Sequence, residues 1–226
     1  MTRARRQSFQ EIAALKTEGF DYKINVLDRV SAIVIIAPHG GDIEPGSSEI
    51  AAAIAGVDLS LYDFRGLRNT SGHGELHLPS HKFDEPRCLR LVEAAETVVA
   101  IHGRKNGDDA ERVWIGGLDV QRCRRTMTEL TKAGFGAVVR EPGETLAGTA
   151  VSNICNRGKR KMGIQLEIPK ALRKQLKDDS RATDNVRGAS VEAEPVYMSR
   201  VGTPLTAEVE ALCFVDEDAA TKFQLL

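Results

Sequence analysis

Four residues of the types used in hydrolytic metal centres stand next to short apolar runs in this 226-residue chain. His39 and Glu44 follow residues 32–37, His102 follows residues 97–101, and Glu167 lies near the end of residues 163–168. Ligands in open α/β sheets gather at the carboxyl ends of strands, so all four are expected at one sheet edge. Two imidazoles and one carboxylate, with a position left for water, form a common catalytic zinc set. A fourth, unligated carboxylate would then serve as base and proton carrier. The spacing His39-x4-Glu44 differs from His-Glu-x-x-His, which sets both histidines on one helix face. It suits a loop made possible by Gly40 and Gly41. Residue types alone leave the site open, because a histidine after a buried strand is more often loop or core structure.

Other groups carry weaker chemical signals. Arg104, two residues beyond His102, has the charge to stabilise an oxyanion or hold an anionic side chain. His73, His77 and His81 are spaced by four, but Gly72, Gly74 and Pro79 argue against one continuous helix, so no second zinc is expected there. Ser47 and Ser48 read as helix caps rather than nucleophiles, since no His-Asp arrangement can be assigned to them. Neither Gly40-Gly41 nor Gly116-Gly117 matches a nucleotide-binding glycine fingerprint. Cys88, Cys123, Cys155 and Cys213 are scattered without a CxxC pair. Free buried thiols are expected, and a cysteine zinc knuckle is excluded by spacing.

The elements that must position these groups recur as an apolar run followed by a helical pattern. Residues 32–37 are too apolar for an exposed strand and read as a strand buried on both faces, ending at a Pro38–Gly41 loop. A helix is expected over 47–55 with Ser47 or Ser48 as N-cap and Gly56 as stop. Strands are expected over 59–64, 97–101, 113–115, 137–139 and 163–168, with helices over 86–96, after Asp119, and from Pro169 to about Lys177. Buried strands alternating with helices indicate an α/β fold with an open, mixed, mostly parallel sheet flanked by helices.

Length favours one domain over residues 1–226, with 178–199 a polar loop and an acidic segment to Leu226. The net charge of −1 conceals a split: residues 188–226 hold two basic and seven acidic side chains, leaving residues 1–187 at +4. A mildly basic body favours an anionic ligand. The longest apolar run is far short of the roughly 18 residues of a spanning helix, so no membrane partner is expected. Residues 1–6 begin like a signal-peptide n-region without an apolar stretch after it, which predicts a protein cytoplasmic as synthesised.

Five segments stand in a telling order: Ala37-Pro38-His39-Gly40-Gly41-Asp42-Ile43-Glu44-Pro45-Gly46, Ser80-His81-Lys82-Phe83-Asp84-Glu85-Pro86, Ala100-Ile101-His102-Gly103, Asn153-Ile154-Cys155-Asn156-Arg157-Gly158 and Gly163-Ile164-Gln165-Leu166-Glu167-Ile168. Together they resemble the phage-type poly-γ-glutamate hydrolase family over about residues 20–177. The resemblance implies a compact zinc carboxypeptidase-like core with one Zn2+ per chain, held by His39, Glu44 and His102, and Glu167 as general base. It implies cleavage of γ-glutamyl amide bonds in an anionic polymer, with release from the cell by lysis. Asn156-Arg157 is similar to the Asn-Arg pair with which carboxypeptidases clamp a substrate carboxylate, although here it follows His102 rather than preceding it. His81 belongs to one of the family-like segments and is a candidate for the cleft lining. The acidic C-terminal segment departs from the family pattern.

Two other functions fit less of the sequence. One is a zinc acylase or carboxypeptidase-like amidohydrolase acting on a small N-acyl amino acid or a peptidoglycan γ-glutamyl bond. The other is a non-enzymatic nucleic-acid or phage-structural binding protein, supported only by scattered basic residues at 3–6 and 157–177. No nucleic-acid partner is expected, and the oligomeric state is open.

Overall fold

The structure, a computed structural model, describes residues 8–67 and 73–176. The polar loop and acidic segment expected beyond residue 177, the basic residues 3–6 and Cys213 lie outside the described residues. Seven strands form one sheet in the order β1-β3-β2-β4-β7-β5-β6. They are β1 (Tyr22–Leu27), β2 (Ile33–Gly41), β3 (Ser60–Gly66), β4 (Thr97–Arg104), β5 (Arg112–Gly116), β6 (Gly136–Val139) and β7 (Ile164–Pro169). β3, β2, β4 and β7 run parallel, as do β5 and β6, while β1 and β5 lie antiparallel to β3 and β7. The sheet is therefore mixed and mostly parallel.

The central strands read as continuous apolar runs because both their faces are covered. On one face Ile33, Ile35, Val99 and Ile101 pack against α2 (Ser47–Ala55), α5 (Val120–Lys132) and a closing helix at 170–176. On the other Val34, Ile36, Val98 and Ala100 pack against α1 (Phe9–Ala13) and α4 (Pro86–Ala94). Each fully buried Ile or Val contributes about 1.5–3 kcal/mol, which fixes the strands whose ends carry the polar groups. Cys88, Cys123 and Cys155 are free and buried. Among the described residues no helix is long and apolar enough to cross a membrane.

Three local features differ from the sequence reading. β2 does not stop at Ala37 but continues through Gly41, with a register shift against β3 between Ala37 and Gly40. Pro38 falls in that irregularity, the kind of position where a residue without an N–H is tolerated in a sheet. The cap of α2 is Gly46, with φ 96, and neither serine caps it. Ser47 Oγ instead donates to the carbonyls of His39 and Glu44, and Ser48 Oγ donates to Asp63 and accepts from the Gly41 N–H. The serines thus tie the His39–Glu44 loop to the helix. Finally, α1 and β1 were not foreseen; β1 is an edge strand paired with β3 alone. Asp119 and Glu85 do cap α5 and α4, accepting from the N–H groups of Arg122 and Cys88.

Candidate metal centre and cleft

β2, β4 and β7 carry His39, His102 and Glu167 to the same edge, and His102 and Glu167 are direct partners in the β4–β7 register. Glu44 reaches them from the turn between β2 and α2. His39 and His102 are buried, and their Nδ1 atoms lie 3.1 Å apart. Glu44 Oε1 is 3.1 Å from His39 Nδ1, and Oε2 is 3.8 Å from His102 Nδ1. The Gly103 N–H donates to Glu44 Oε2 at 2.6 Å, holding the carboxylate in place.

The tautomer of His39 follows from its second nitrogen. Nε2 lies 2.7 Å from the Leu78 carbonyl, which can only accept, so Nε2 carries the hydrogen and Nδ1 presents a lone pair. Burial holds this imidazole below its ordinary pKa, with Glu44 opposing the shift. Burial also pulls on His102, but the carboxylates of Glu44 and Glu167 overcome it and raise its pKa. Burial pushes the Glu44 carboxyl up, yet the surrounding imidazoles, His39 foremost, hold it well below its usual range. Two ring nitrogens and a carboxylate so close together call for a cation between them. A tetrahedral zinc with Zn–N bonds of about 2.0–2.1 Å sets its donors roughly 3.3 Å apart, close to the separations seen here. The donor set fits zinc.

A third imidazole adjoins this group. His77 stacks on His39 with ring centroids 4.0 Å apart, and its Nε2 is 3.4 Å from Glu44 Oε1. Among the described residues, His39, Glu44 and His77 offer ligand atoms all within 4.8 Å of one another. Two overlapping ligand sets therefore exist, one completed by His102 and one by His77. His102 is the better-held donor: it is buried on a central strand and its Nε2 lies 3.3 Å from Ser80 Oγ. His77 is about one third exposed and follows the single turn α3 (His73–Leu76).

Glu167 does not belong to the donor cluster but borders it. Gln165 Nε2 donates to its Oε1 at 3.2 Å, and Asn153 and the Leu146 carbonyl hold Gln165 in turn. Burial pushes the Glu167 carboxyl up to about 7, a shift that His102 opposes and Glu44 reinforces. A carboxyl at that value can both take up and release a proton near neutrality.

The centre opens into a cleft of about 1050 Å³ whose lining includes His77, His81, Arg104, Trp114, Arg140 and Glu167. His81 lies on its exposed rim. Arg104 is in the lining, but its guanidinium is engaged: Nη1 donates to the carbonyls of Lys105 and Asn106, and Nη2 donates to that of Arg112. It shapes the loop after β4. Asn156 and Arg157 are not brought to the cleft. Asn156 is buried, accepting from the N–H groups of Leu118 and Gly163 and donating to the carbonyls of Gly148 and Ala150. Arg157 points away and pairs with Glu93 at 3.1 Å. A carboxylate clamp of the carboxypeptidase kind is therefore not formed by this pair.

A family model described as poly-gamma-glutamate hydrolase matches residues 6–196. The chain belongs to the poly-γ-glutamate hydrolase family. It is 34% identical over 170 residues to the UPF0714 protein YndL of Bacillus subtilis (strain 168), a match covering 75% of this chain and 66% of YndL. The chain thus spans just under two thirds of that relative. Among solved structures it is similar to YndL in a form described as apo and zinc-free, with a TM-score of 0.72 and 33% identity over 77% of this chain and 84% of that one. It is also similar to a bacteriophage poly-gamma-glutamate hydrolase, with a TM-score of 0.78 and 26% identity over 98% of this chain and 99% of the other.

The residue that sequence reasoning passed over in this family member is His77. Its spacing from His73 and His81 was visible, but the helix that such spacing suggests is absent. The ring reaches Glu44 through a loop, and no local periodicity marks it. Trp114 and Arg140 carry no such signal either: β5 and β6 are consecutive strands, but the entry of β7 beside β5, which sets Trp114 opposite Glu167, is not displayed by the sequence.

Proposed function

We propose that this protein hydrolyses γ-glutamyl amide bonds of an anionic glutamyl polymer, with one zinc held by His39, Glu44 and His102 and with Glu167 as general base. The observation that carries the reading is the convergence of His39 Nδ1, His102 Nδ1 and Glu44 beside a separate, buried carboxyl that titrates near 7. Family membership supports the hydrolytic chemistry, and the description of a YndL structure as zinc-free supports the metal. Zinc in such a site supplies a Lewis acid and lowers the pKa of its water. Glu167 takes the proton from the attacking water and returns it to the leaving amine. Gln165 fixes the carboxyl that does so, and the Gly103 N–H fixes Glu44. The cleft, at about 1050 Å³, stands at the upper end of small-molecule pocket sizes and has room for a stretch of extended chain.

The test is zinc content and depolymerisation of poly-γ-glutamate by the wild type, His39→Ala and Glu167→Gln. His39→Ala is expected to lose the metal. Glu167→Gln is expected to keep it while activity drops by about 10²–10⁴. Wild-type protein that neither contains nor responds to zinc would overturn the assignment, and a fully active Glu167→Gln would remove Glu167 as base.

A further inference from the structure

We propose that Arg140, laid over the indole of Trp114, is the residue that binds a substrate carboxylate beside the reacting amide, and that Glu144 occupies it until substrate arrives. This rests on the γ-glutamyl reading above and names how that substrate is recognised. In a γ-linked glutamate chain every residue keeps its α-carboxylate only a few bonds from the amide that is cut. A cleft that accepts such a chain needs a cation close to the base.

The placement begins with the register. Trp114 on β5 is the direct antiparallel partner of Glu167 on β7, so the indole starts one strand away from the base. Its Nε1–H donates to Asp109 Oδ2 at 2.8 Å, which fixes the ring. Two guanidinium groups lie over the ring, Arg104 at 4.0 Å from its centroid and Arg140 at 4.4 Å. They are not equivalent. Three backbone carbonyls hold both Arg104 Nη atoms, so its fork is fixed on the β4 loop, and of its nitrogens Nε is without a hydrogen-bond partner among the described residues. Arg140 is anchored through its backbone, its N–H donating to the Ile115 carbonyl at 2.7 Å. Apart from the indole, its side chain has among the described residues only a long bond from Nε to the Thr145 carbonyl at 3.4 Å and an ion pair with Glu144 at 3.2 Å.

That ion pair is the telling feature. Glu144 is 41% exposed, Arg140 20%, and both line the same cleft; the other Glu144 oxygen accepts from the Glu141 N–H at 2.6 Å, and an ion pair open to solvent on one side contributes little stability. A substrate carboxylate can replace it with small loss. The guanidinium is meanwhile already held over an aromatic face, so less side-chain freedom remains to be lost on binding, and its planar fork matches a carboxylate. The pair reads as a recognition site closed by a side chain of the same chemical class as the substrate.

The experiment compares two γ-linked glutamate oligomers, one with free α-carboxylates and one with them capped as amides, on wild type, Arg140→Ala and Glu144→Gln. Kinetics are followed alongside equilibrium binding, read from the fluorescence of Trp114, the single tryptophan of the chain. Wild type is expected to prefer the free acid. Arg140→Ala is expected to raise KM for it roughly ten- to a hundredfold, the loss of one charge-assisted pair, with a smaller effect on kcat and with the preference over the amide abolished. Glu144→Gln is expected to lower KM for the free acid and leave the amide unaffected, which tests the idea even if Arg140→Ala fails to fold. Equal discrimination by wild type and Arg140→Ala, or an unchanged or raised KM in Glu144→Gln, would overturn it. If wild type cleaves neither oligomer, the hydrolytic reading fails; a free-acid fluorescence response that weakens in Arg140→Ala and strengthens in Glu144→Gln would still uphold the binding role. Absence of any such response overturns both.

Discussion

The carboxyl of Glu167 should make the metal-free protein less stable where it is ionised, so that Glu167→Gln trades activity for stability. Its side chain is buried, and burial lifts its pKa from 4.5 to about 7 despite His102. The folded state therefore holds a proton that the unfolded chain has already released. Stability from this group is fully present below about pH 4.5 and is lost as pH rises through about 7. At 1.36 kcal/mol per pKa unit, the cost at pH 8 comes to about 3 kcal/mol as an upper bound. A glutamine is neutral at every pH and keeps an oxygen to accept the Gln165 amide. Chelator-treated Glu167→Gln is therefore expected to exceed chelator-treated wild type by about 2–3 kcal/mol at pH 8. In a chain of this length that is a rise of roughly 4–12 °C in Tm. The gain should shrink toward zero near pH 4.5. Thermal melts at both pH values, followed by circular dichroism, measure it. Equal Tm values at pH 8 would refute the claim that the carboxyl is held against its own ionisation.

Other outcomes follow from single contacts. Gly103 carries the N–H that holds Glu44, and a Cβ there would overlap the buried guanidinium of Arg173; Gly103→Ala is expected to cost about 1–3 kcal/mol and to reduce zinc content, and Gly103→Ala combined with Arg173→Ala should cost less than the sum of the two. Of the two imidazoles competing to complete the ligand set, His102→Ala is expected to abolish stoichiometric zinc and His77→Ala to retain it, as read by elemental analysis after dialysis; the opposite result would exchange their roles. Burial pushes the Asp109 carboxyl up, but the Trp114 indole N–H and the Arg112 backbone N–H and guanidinium bring it down to about 2. Its contribution is present above about pH 4 and lost as pH falls through about 2, so Asp109→Asn should cost roughly 1–2 kcal/mol at pH 7 and flatten the acid limb of the stability curve.

The central strands were legible because burial on both faces leaves an unbroken apolar run, and the polar residues that follow such runs had to lie at one sheet edge. That logic located His39, His102 and Glu167 together. It could not supply what depends on tertiary placement. The Lys23 and Asn25 positions of β1 weaken its apolar signal, and only its pairing with β3 defines it. Asn156 and Arg157 are adjacent in sequence, yet the 3-10 turn Ile154–Arg157 turns the first into the interior and the second toward Glu93. Arg104 looked available because a free guanidinium and one already bonded to three carbonyls have the same sequence.

Strand order decides more of this site than any single residue. β7 enters the sheet between β4 and β5, so His102, Glu167 and Trp114 form one row across three strands. The donor cluster, the Glu167 carboxyl and the Trp114 indole are thus neighbours at a single register level. The row depends on close backbone approach at its base: a Cβ at Gly117, where φ is +118, would collide with the backbone of Gly163, and the Asp119 N–H donates to the Gly163 carbonyl at 3.1 Å. A slip of β7 by one residue would turn Glu167 to the opposite face and put Leu166 or Ile168 beside His102. Both belong to the apolar cluster against α2 and α5, so the slip would also remove apolar side chains from that core. The packing that stabilises the sheet is in this way the same constraint that keeps Glu167 opposite His102 and the indole.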